Sequence, residues 1–225
     1  MAIDGPAGAG KSTVAKAVAK RLGYRYMDTG AMYRALAWKV MRQGADPGDE
    51  NALGIILDST VVDLGDDAGA PTVMLDGADV SGAIRTPEVG QMASRVSGMT
   101  IVRRRMAELQ RAMGRSGRIV AEGRDMGTVV FPDAEVKIYL DASPETRARR
   151  RFNEQAGQDS ALTLEETLAD VMRRDRRDKE RAVAPLRKAD DAVLVDSTTL
   201  SAAAVADTIL REIATKSNED GRTVS

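Results

Sequence analysis

The stretch Gly5-Pro6-Ala7-Gly8-Ala9-Gly10-Lys11-Ser12 decides how the rest of the chain is read. It satisfies G-x-x-x-x-G-K-[ST], the phosphate-binding loop pattern. Met1-Ala2-Ile3 precede it as a short apolar strand, and Val14, Val18 and Leu22 follow at helical spacing. Strand, glycine-rich turn and helix are the setting in which this pattern carries chemistry. Glycines let the backbone close round an anion with successive amide N–H groups pointing inward. The following helix adds its unpaired N–H groups and the positive end of its dipole. Lys11 is expected to reach the outer phosphates of a nucleotide, and the Ser12 hydroxyl suits Mg2+. A first strand of this kind should be central in its sheet, yet three residues precede the loop. Either the strand is short or the chain extends further upstream.

Composition narrows the classes of function. The 225 residues are 43% hydrophobic, enough for one α/β domain with a full core and modest insertions. Lys+Arg 33 against Asp+Glu 34 leaves a net charge of −1, so a broadly basic surface for nucleic acid is not indicated. There is no Cys, hence no disulfide framework and no thiolate metal site. There is no His, which removes the commonest general base and the commonest metal ligand. Phosphoryl transfer tolerates that absence, because it relies on positioning and charge stabilisation. No apolar run reaches membrane-spanning length and no signal peptide is read at the start, so a cytoplasmic protein with no membrane partner is expected.

Strand and helix signals then alternate. Leu22-Gly23 closes the first helix, and Tyr24-Arg25-Tyr26-Met27 reads as a strand. A second helix is predicted over 31–42, with Met32, Leu36 and Val40 as its apolar stripe, Trp38 in the core and Arg34 on another face. Leu53, Ile56 and Leu57 suggest a short helix. The region 61–81 changes character: two strand-like runs, with Asp76-Gly77 as a hairpin signal, form a small β insertion. Thr86-Pro87-Glu88 opens a helix that buries Val89, Met92, Ala93 and Val96. Another helix follows over 100–113. The run 118–123 is a buried type of strand that ends in polar residues, where open parallel sheets place their ligands. Strands at 136–140 and 192–195 alternate with a helix capped by Ser143 and a long charged helix that opens on the capping box Thr163-Leu164-Glu165-Glu166. Val205, Ile209 and Ile213 mark the last helix, and 216–225 is expected to be a frayed, disordered tail. The pattern implies a parallel sheet with helices on both faces, a single domain over 1–215.

The arginines of the two charged helices admit a solvated-face reading and a phosphate reading. Arg174, Arg177, Asp178 and Arg181 share a face by spacing. Beside a phosphate loop, arginines suit a polyphosphate clamp, because the guanidinium is always charged and binds phosphate in bidentate fashion. Two such helices joined by the polar stretch 155–160 make a lid. Nucleic-acid binding through Arg103-Arg104-Arg105 or Arg149-Arg150-Arg151 is disfavoured by neighbouring acids and by the lack of aromatic stacking partners.

Over 2–213 the chain resembles the bacterial cytidylate kinases, nucleoside monophosphate kinases acting on CMP and dCMP. The resemblance rests on the loop with Ile3-Asp4 before it, on Asp28-Thr29-Gly30-Ala31-Met32-Tyr33-Arg34, and on Asp79-Val80-Ser81 with Ile84-Arg85-Thr86. It rests further on Gly123-Arg124-Asp125-Met126-Gly127-Thr128, on Arg181-Ala182-Val183-Ala184-Pro185-Leu186 and on Asp196-Ser197-Thr198-Thr199-Leu200. It implies a P-loop kinase core, a monophosphate-binding subdomain over 58–98 and a mobile lid over 149–168. Residues 5–13, Thr13 included, with Arg150, Arg151 and Thr198, would bind ATP. Ser94, Arg103 and Asp125 match positions that read cytosine. Arg34, Arg124 and Arg181 match the acceptor-phosphate side, Asp178 with Arg174 matches the sugar side, and Thr29 is a further CMP-binding candidate. Arg147 falls in the lid segment that meets ATP and joins Lys11, Arg124 and Arg181 as a catalytic candidate. Two departures stand out: Thr29 where serine also occurs, and Glu122 where the acid can be Asp, a longer arm that bears on indirect Mg2+ contacts.

The implied reaction is in-line transfer of the ATP γ-phosphoryl group to CMP or dCMP, with Mg2+ carried by ATP and no side-chain base. The enzyme is expected to be a monomer with small nucleotides as its only partners. The rivals are a P-loop kinase for another small acceptor and a nucleotide-dependent switch that phosphorylates nothing. A guanine-specific switch would want Asn-Lys-x-Asp, which is absent.

Overall fold

The computed structural model describes residues 1–67, 70–155 and 162–219. Its chain forms two compact units: Met1–Tyr26 with Gly117–Ser225, and Met27–Ser116.

The first unit is an α/β sandwich. Strand β1 (Ala2–Asp4) is three residues long and fully buried. It pairs in parallel with β6 (Ile119–Gly123) on one side and β7 (Lys137–Asp141) on the other. The sheet runs β2-β6-β1-β7-β8, with β8 (Val193–Asp196) parallel to β7 and β2 (Arg25–Asp28) at the far edge. The first strand is therefore central and short. Ile3, Val120, Ile138 and Leu140 from the strands pack with Val14 and Val18 of α1 (Lys11–Leu22) and with Val205 and Ile209 of α8 (Ala202–Glu219). Gly23 ends α1 in the left-handed conformation, as its position predicts. Helix α6 (Pro144–Gln155) packs along α7 (Leu164–Glu180). The capping box forms at Thr163 and Glu166, and Ser143 accepts from the Thr146 N–H. Helix α8 continues to Glu219, so 216–219 is helical rather than the start of a tail: the apolar spacing that holds α8 on the sheet carries its last turns with it. Residues 220–225, and 156–161 of the expected lid, lie outside the described residues.

The second unit is built on α2 (Thr29–Arg42), α3 (Glu50–Asp58), α4 (Pro87–Val96) and α5 (Thr100–Gly114). Its three-stranded antiparallel sheet holds β3 (Val62–Asp67), β4 (Ala70–Leu75) and β5 (Ala78–Asp79). Asp76 and Gly77 both take positive φ, 50° and 83°, which is the two-residue hairpin turn that the dipeptide signals. Met32, Leu36 and Val40 are all 0% exposed, and Val89, Ala93 and Val96 of α4 join them in one core. The insertion expected over 58–98 is thus part of a larger unit. The stripe on α2 is buried against α4 and draws α2, α3 and α5 into the same core.

Candidate active site

The phosphate loop is locked by its own backbone. Gly5 has φ 148°, and a Cβ there would lie 1.9 Å from the Leu140 carbonyl oxygen. The carbonyls of the next four residues are all taken by side-chain donors of the first unit. Lys11 Nζ donates to Pro6 O at 2.8 Å, Arg147 Nη1 to Ala7 O at 3.1 Å, and Arg150 Nη1 to Gly8 O and Ala9 O at 3.5 and 3.3 Å. The Ser197 hydroxyl also donates to Ala9 O, at 3.0 Å. In a planar trans peptide the C=O and the following N–H point in opposite directions. Fixing these carbonyls therefore fixes the directions of the N–H groups of 7–10 as well. A cavity of about 430 Å³ opens at the loop, lined by Gly8, Lys11, Thr13, Arg150, Arg151 and Ser197 among others. That volume falls in the range of small-ligand sites, roughly 300–1,000 Å³.

The charged groups around the loop are buried and mutually dependent. Lys11 is 5% exposed, and burial followed by Arg124 pulls its ammonium well below the usual lysine range. An anion bound beside it would reverse that strain. The Ser12 hydroxyl donates to Glu122 Oε1 at 2.5 Å, and the Tyr26 hydroxyl reaches the same oxygen at 3.1 Å. Hydroxyl and carboxylate oxygens are the donors that Mg2+ prefers, so this pair fits a cation carried in by a nucleotide. Among the described residues no group of three or more acidic side chains could cage a metal on its own.

Beyond β6, Arg124 Nε donates to Asp178 Oδ2 at 2.9 Å, and Arg181 Nη1 lies 3.7 Å from Asp178 Oδ1. Burial acts to raise the Asp178 carboxyl, but Arg124, Arg174 and Arg181 together hold it below the usual range. Asp125 is 4% exposed, with its Oδ1 4.0 Å from Arg181 Nη2. It precedes a single π-helical turn, Met126–Val130, that spacing in the sequence does not announce. Asp4 supports that turn. Its two carboxylate oxygens accept the N–H groups of Met126 and Gly127, each at 2.7 Å. Burial pushes its carboxyl up to about 6 in spite of those bonds.

The expected residues separate accordingly. The first unit brings together the loop, Glu122, Arg124, Asp125, Arg174, Asp178 and Arg181. Arg177, expected on the same helix face, is exposed, because Asp178 beside it takes the buried direction. Arg150 reads the loop and Ser197, and Arg151 is drawn below the usual arginine range by burial. The Thr198 hydroxyl is occupied within its own turn by Asp196 at 2.5 Å and accepts the Ser143 N–H. Arg147, expected to meet ATP in the lid, instead lies beneath the loop with its side chain 4% exposed.

The second unit holds Thr29, Arg34, Ser94 and Arg103. Thr29 is buried at the start of α2, next to the capping residue Asp28. Asp28 also holds Arg34 at 3.2 Å. Arg103 donates to Ser97 O at 3.2 Å and lies over the Tyr33 ring, 5.8 Å from its centre. Ser94 is half-buried on α4. Sequence reasoning gave no role to Tyr26 or Asp175, and it quoted Asp4 and Asp28 only within motifs, without the bonds by which they build the site. An acid in the apolar run Ala2-Ile3-Asp4 was the one available hint, since a charge in a central strand needs partners.

The family model for cytidylate kinase matches residues 1–215. The cytidylate kinase of Geobacter sp. (strain M21) is 50% identical over 201 residues, covering 89% of this chain and 86% of that one. That of Solibacter usitatus (strain Ellin6076) is 49% identical over 213 residues, covering 94% and 90%. In fold alone, an uncharacterized protein from Eubacterium ventriosum ATCC 27560 is similar, with a TM-score of 0.50 at 12% identity over 95% of this chain and 97% of that one. A match across nearly the whole length, with relatives half identical to it, settles the grouping: the chain belongs to the cytidylate kinase family.

Proposed function

We propose that the chain transfers the γ-phosphoryl group of ATP to CMP or dCMP, giving ADP and CDP or dCDP. The observation that carries this reading is the loop whose carbonyls are each held by a side-chain donor, with Lys11 buried beside it and arginines gathered on Asp178 in the same unit. An oxygen of the acceptor phosphate attacks the γ-phosphorus, the bond from that phosphorus to the β,γ-bridging oxygen breaks, and ADP leaves with the electron pair. The acceptor is already an anion near neutral pH, so no side chain has to remove a proton.

Backbone N–H groups of 7–10 and the Lys11 ammonium would bind and orient the donor phosphates. Arg124 and Arg181 would receive the acceptor phosphate and offset charge as it develops. Arg34 would assist in the second unit, where Ser94 and Arg103 would serve the acceptor side of the base. Asp125 would take its amino group, and Asp178 with Arg174 the sugar. Ser12 would hold Mg2+ through the nucleotide with Glu122 behind it, and that ion would neutralise the donor phosphates. Among the described residues no helix is long and apolar enough to cross a membrane. A cytoplasmic monomer is the reading, and the near-zero net charge supports small nucleotides over nucleic acid as its partners.

Release of ADP from ATP, coupled to an optical readout and run with CMP, dCMP, UMP and AMP, tests the assignment. Turnover should need a cytidine monophosphate. Equal rates with AMP, or ADP release independent of any acceptor, would overturn it.

A further inference from the structure

Arg147 uses its guanidinium on three separate elements at once. Nε donates to Ala142 O at 2.9 Å, just past β7, and Nη1 donates to Ala7 O at 3.1 Å in the loop. Nη1 and Nη2 then grip Asp175 of α7 in bidentate fashion, at 3.0 and 2.6 Å. The side chains are 4% and 13% exposed. The same residue supports the loop with its backbone: a Cβ on Gly8 would lie 3.0 Å from both the Cβ and the carbonyl oxygen of Arg147. No arginine so placed can swing out to a nucleotide without abandoning four hydrogen bonds.

We propose that Asp175 is a positioning residue that acts through Arg147 to hold helix α7 in register with the phosphate loop. This rests on the kinase reading above. Asp175 follows Arg174 directly and stands one helical turn before Asp178, which gathers Arg124 and Arg181. A helix moves as a rigid body, so the pair that fixes Asp175 against Ala7 O also fixes the arginine cluster against the donor site. A buried ion pair is a poor source of stability, because an apolar pair of like volume does as well or better. Its bidentate geometry is what an apolar pair cannot copy.

The test separates register from stability. Asp175→Asn and the double variant Arg147→Met/Asp175→Leu are compared with the parent for melting temperature, for ADP and CMP dissociation constants by calorimetry, and for kcat per folded molecule. A misplacement of about 1 Å can cost roughly 100-fold in rate, so kcat should fall about that far in both variants while each dissociation constant moves less than about threefold. The double variant should melt below the parent, since Ala7 O and Ala142 O lose their donor, but its kcat per folded molecule should fall no less than that of Asp175→Asn. If kcat per folded molecule stays within about twofold of the parent in the double variant, the proposal fails, because that change is far below the roughly 100-fold that lost register would give. If neither variant folds even with ADP present, the pair is a core staple and the proposal fails as well. A parent inactive toward CMP would sink the kinase reading itself, a distinct result from variants that match an active parent.

Discussion

The phosphate loop and the arginine cluster at Asp178 both suit anions, and they are built by opposite means. In the loop, conformation comes from glycine and from carbonyls fixed by Lys11, Arg147, Arg150 and Ser197. Its N–H groups are committed before any ligand arrives, so little has to rearrange. In the cluster, the guanidiniums of Arg124 and Arg181 already have an anion, the carboxylate of Asp178. An arriving phosphate has to share or displace it. The loop is preorganised by backbone, the cluster by exchangeable charge. The first should fail abruptly when altered and the second by degrees.

The sharpest way to break the comparison is Gly5→Ala. The added Cβ would lie 1.9 Å from the Leu140 carbonyl oxygen, a backbone atom of β7 that cannot step aside. A cost above ~4 kcal/mol is expected, from steric overlap and a strained φ together. Soluble yield and thermal melting monitored by circular dichroism check it. A native melt would mean that the loop tolerates substitution and is not locked.

Next comes Lys11→Ala, which removes a cation without touching the loop's glycines. Turnover should fall by about three orders of magnitude, since a preorganised charge at the transferring group is lost. The fold should persist, because relief of a buried ammonium offsets the lost bond to Pro6 O. Near-parental turnover in the folded variant would remove the donor assignment.

These two effects act on what could be read from residue order alone. The loop, its flanking strand and helix, the Asp76-Gly77 hairpin and the Thr163 capping box are all local, set by residues within a few positions of one another. The cluster is not local. Asp4 meets Met126, Arg124 meets Asp178, and Arg147 meets Ala7 only because parallel pairing brings the ends of β1, β6 and β7 together. Helical spacing put Arg177 and Asp178 on one face, but burial tells them apart. Arg147 reads as one lid arginine among several until the loop carbonyl that it serves is in view. The resemblance to a family supplied the residues of the cluster, Asp178 included, but as nucleotide contacts and not as partners of one another.

Asp4 gives the third effect, on the support beneath the cluster. Its carboxyl is raised from 3.8 to about 6, chiefly by burial. The folded state therefore holds this proton more tightly than the unfolded chain does. That stabilisation is complete below the unfolded value and is lost as pH rises through about 6. At 1.36 kcal/mol per unit, the loss is on the order of 3 kcal/mol at most. Urea unfolding of the parent and of Asp4→Asn at several pH values between 4.5 and 7 checks it. The parent's advantage over the variant, or its deficit, should shift against the parent as pH rises. A difference that stays flat would mean that Asp4 is ionised throughout and that its two N–H bonds outweigh burial.

The smallest effect is also the most specific to the cluster, and it concerns Asp125. Cytosine offers an amino donor where uracil offers a carbonyl acceptor, so a carboxylate there would gain a bond with one and meet repulsion from the other. Sites built round a polar group can reject an analogue lacking it by up to ~10⁴-fold, less where water bridges. Asp125 also has a competing use, since Arg181 Nη2 lies 4.0 Å from its Oδ1. If it reads the base, Asp125→Asn should lower kcat/KM for CMP more than for UMP and narrow their ratio by at least about tenfold, ~1.4 kcal/mol. If it serves mainly to hold Arg181 for the phosphate, both substrates share that phosphate and should suffer alike. An unchanged CMP-to-UMP ratio would then place Asp125 with Asp178, as a carboxylate that holds an arginine ready, and leave base choice to the second unit.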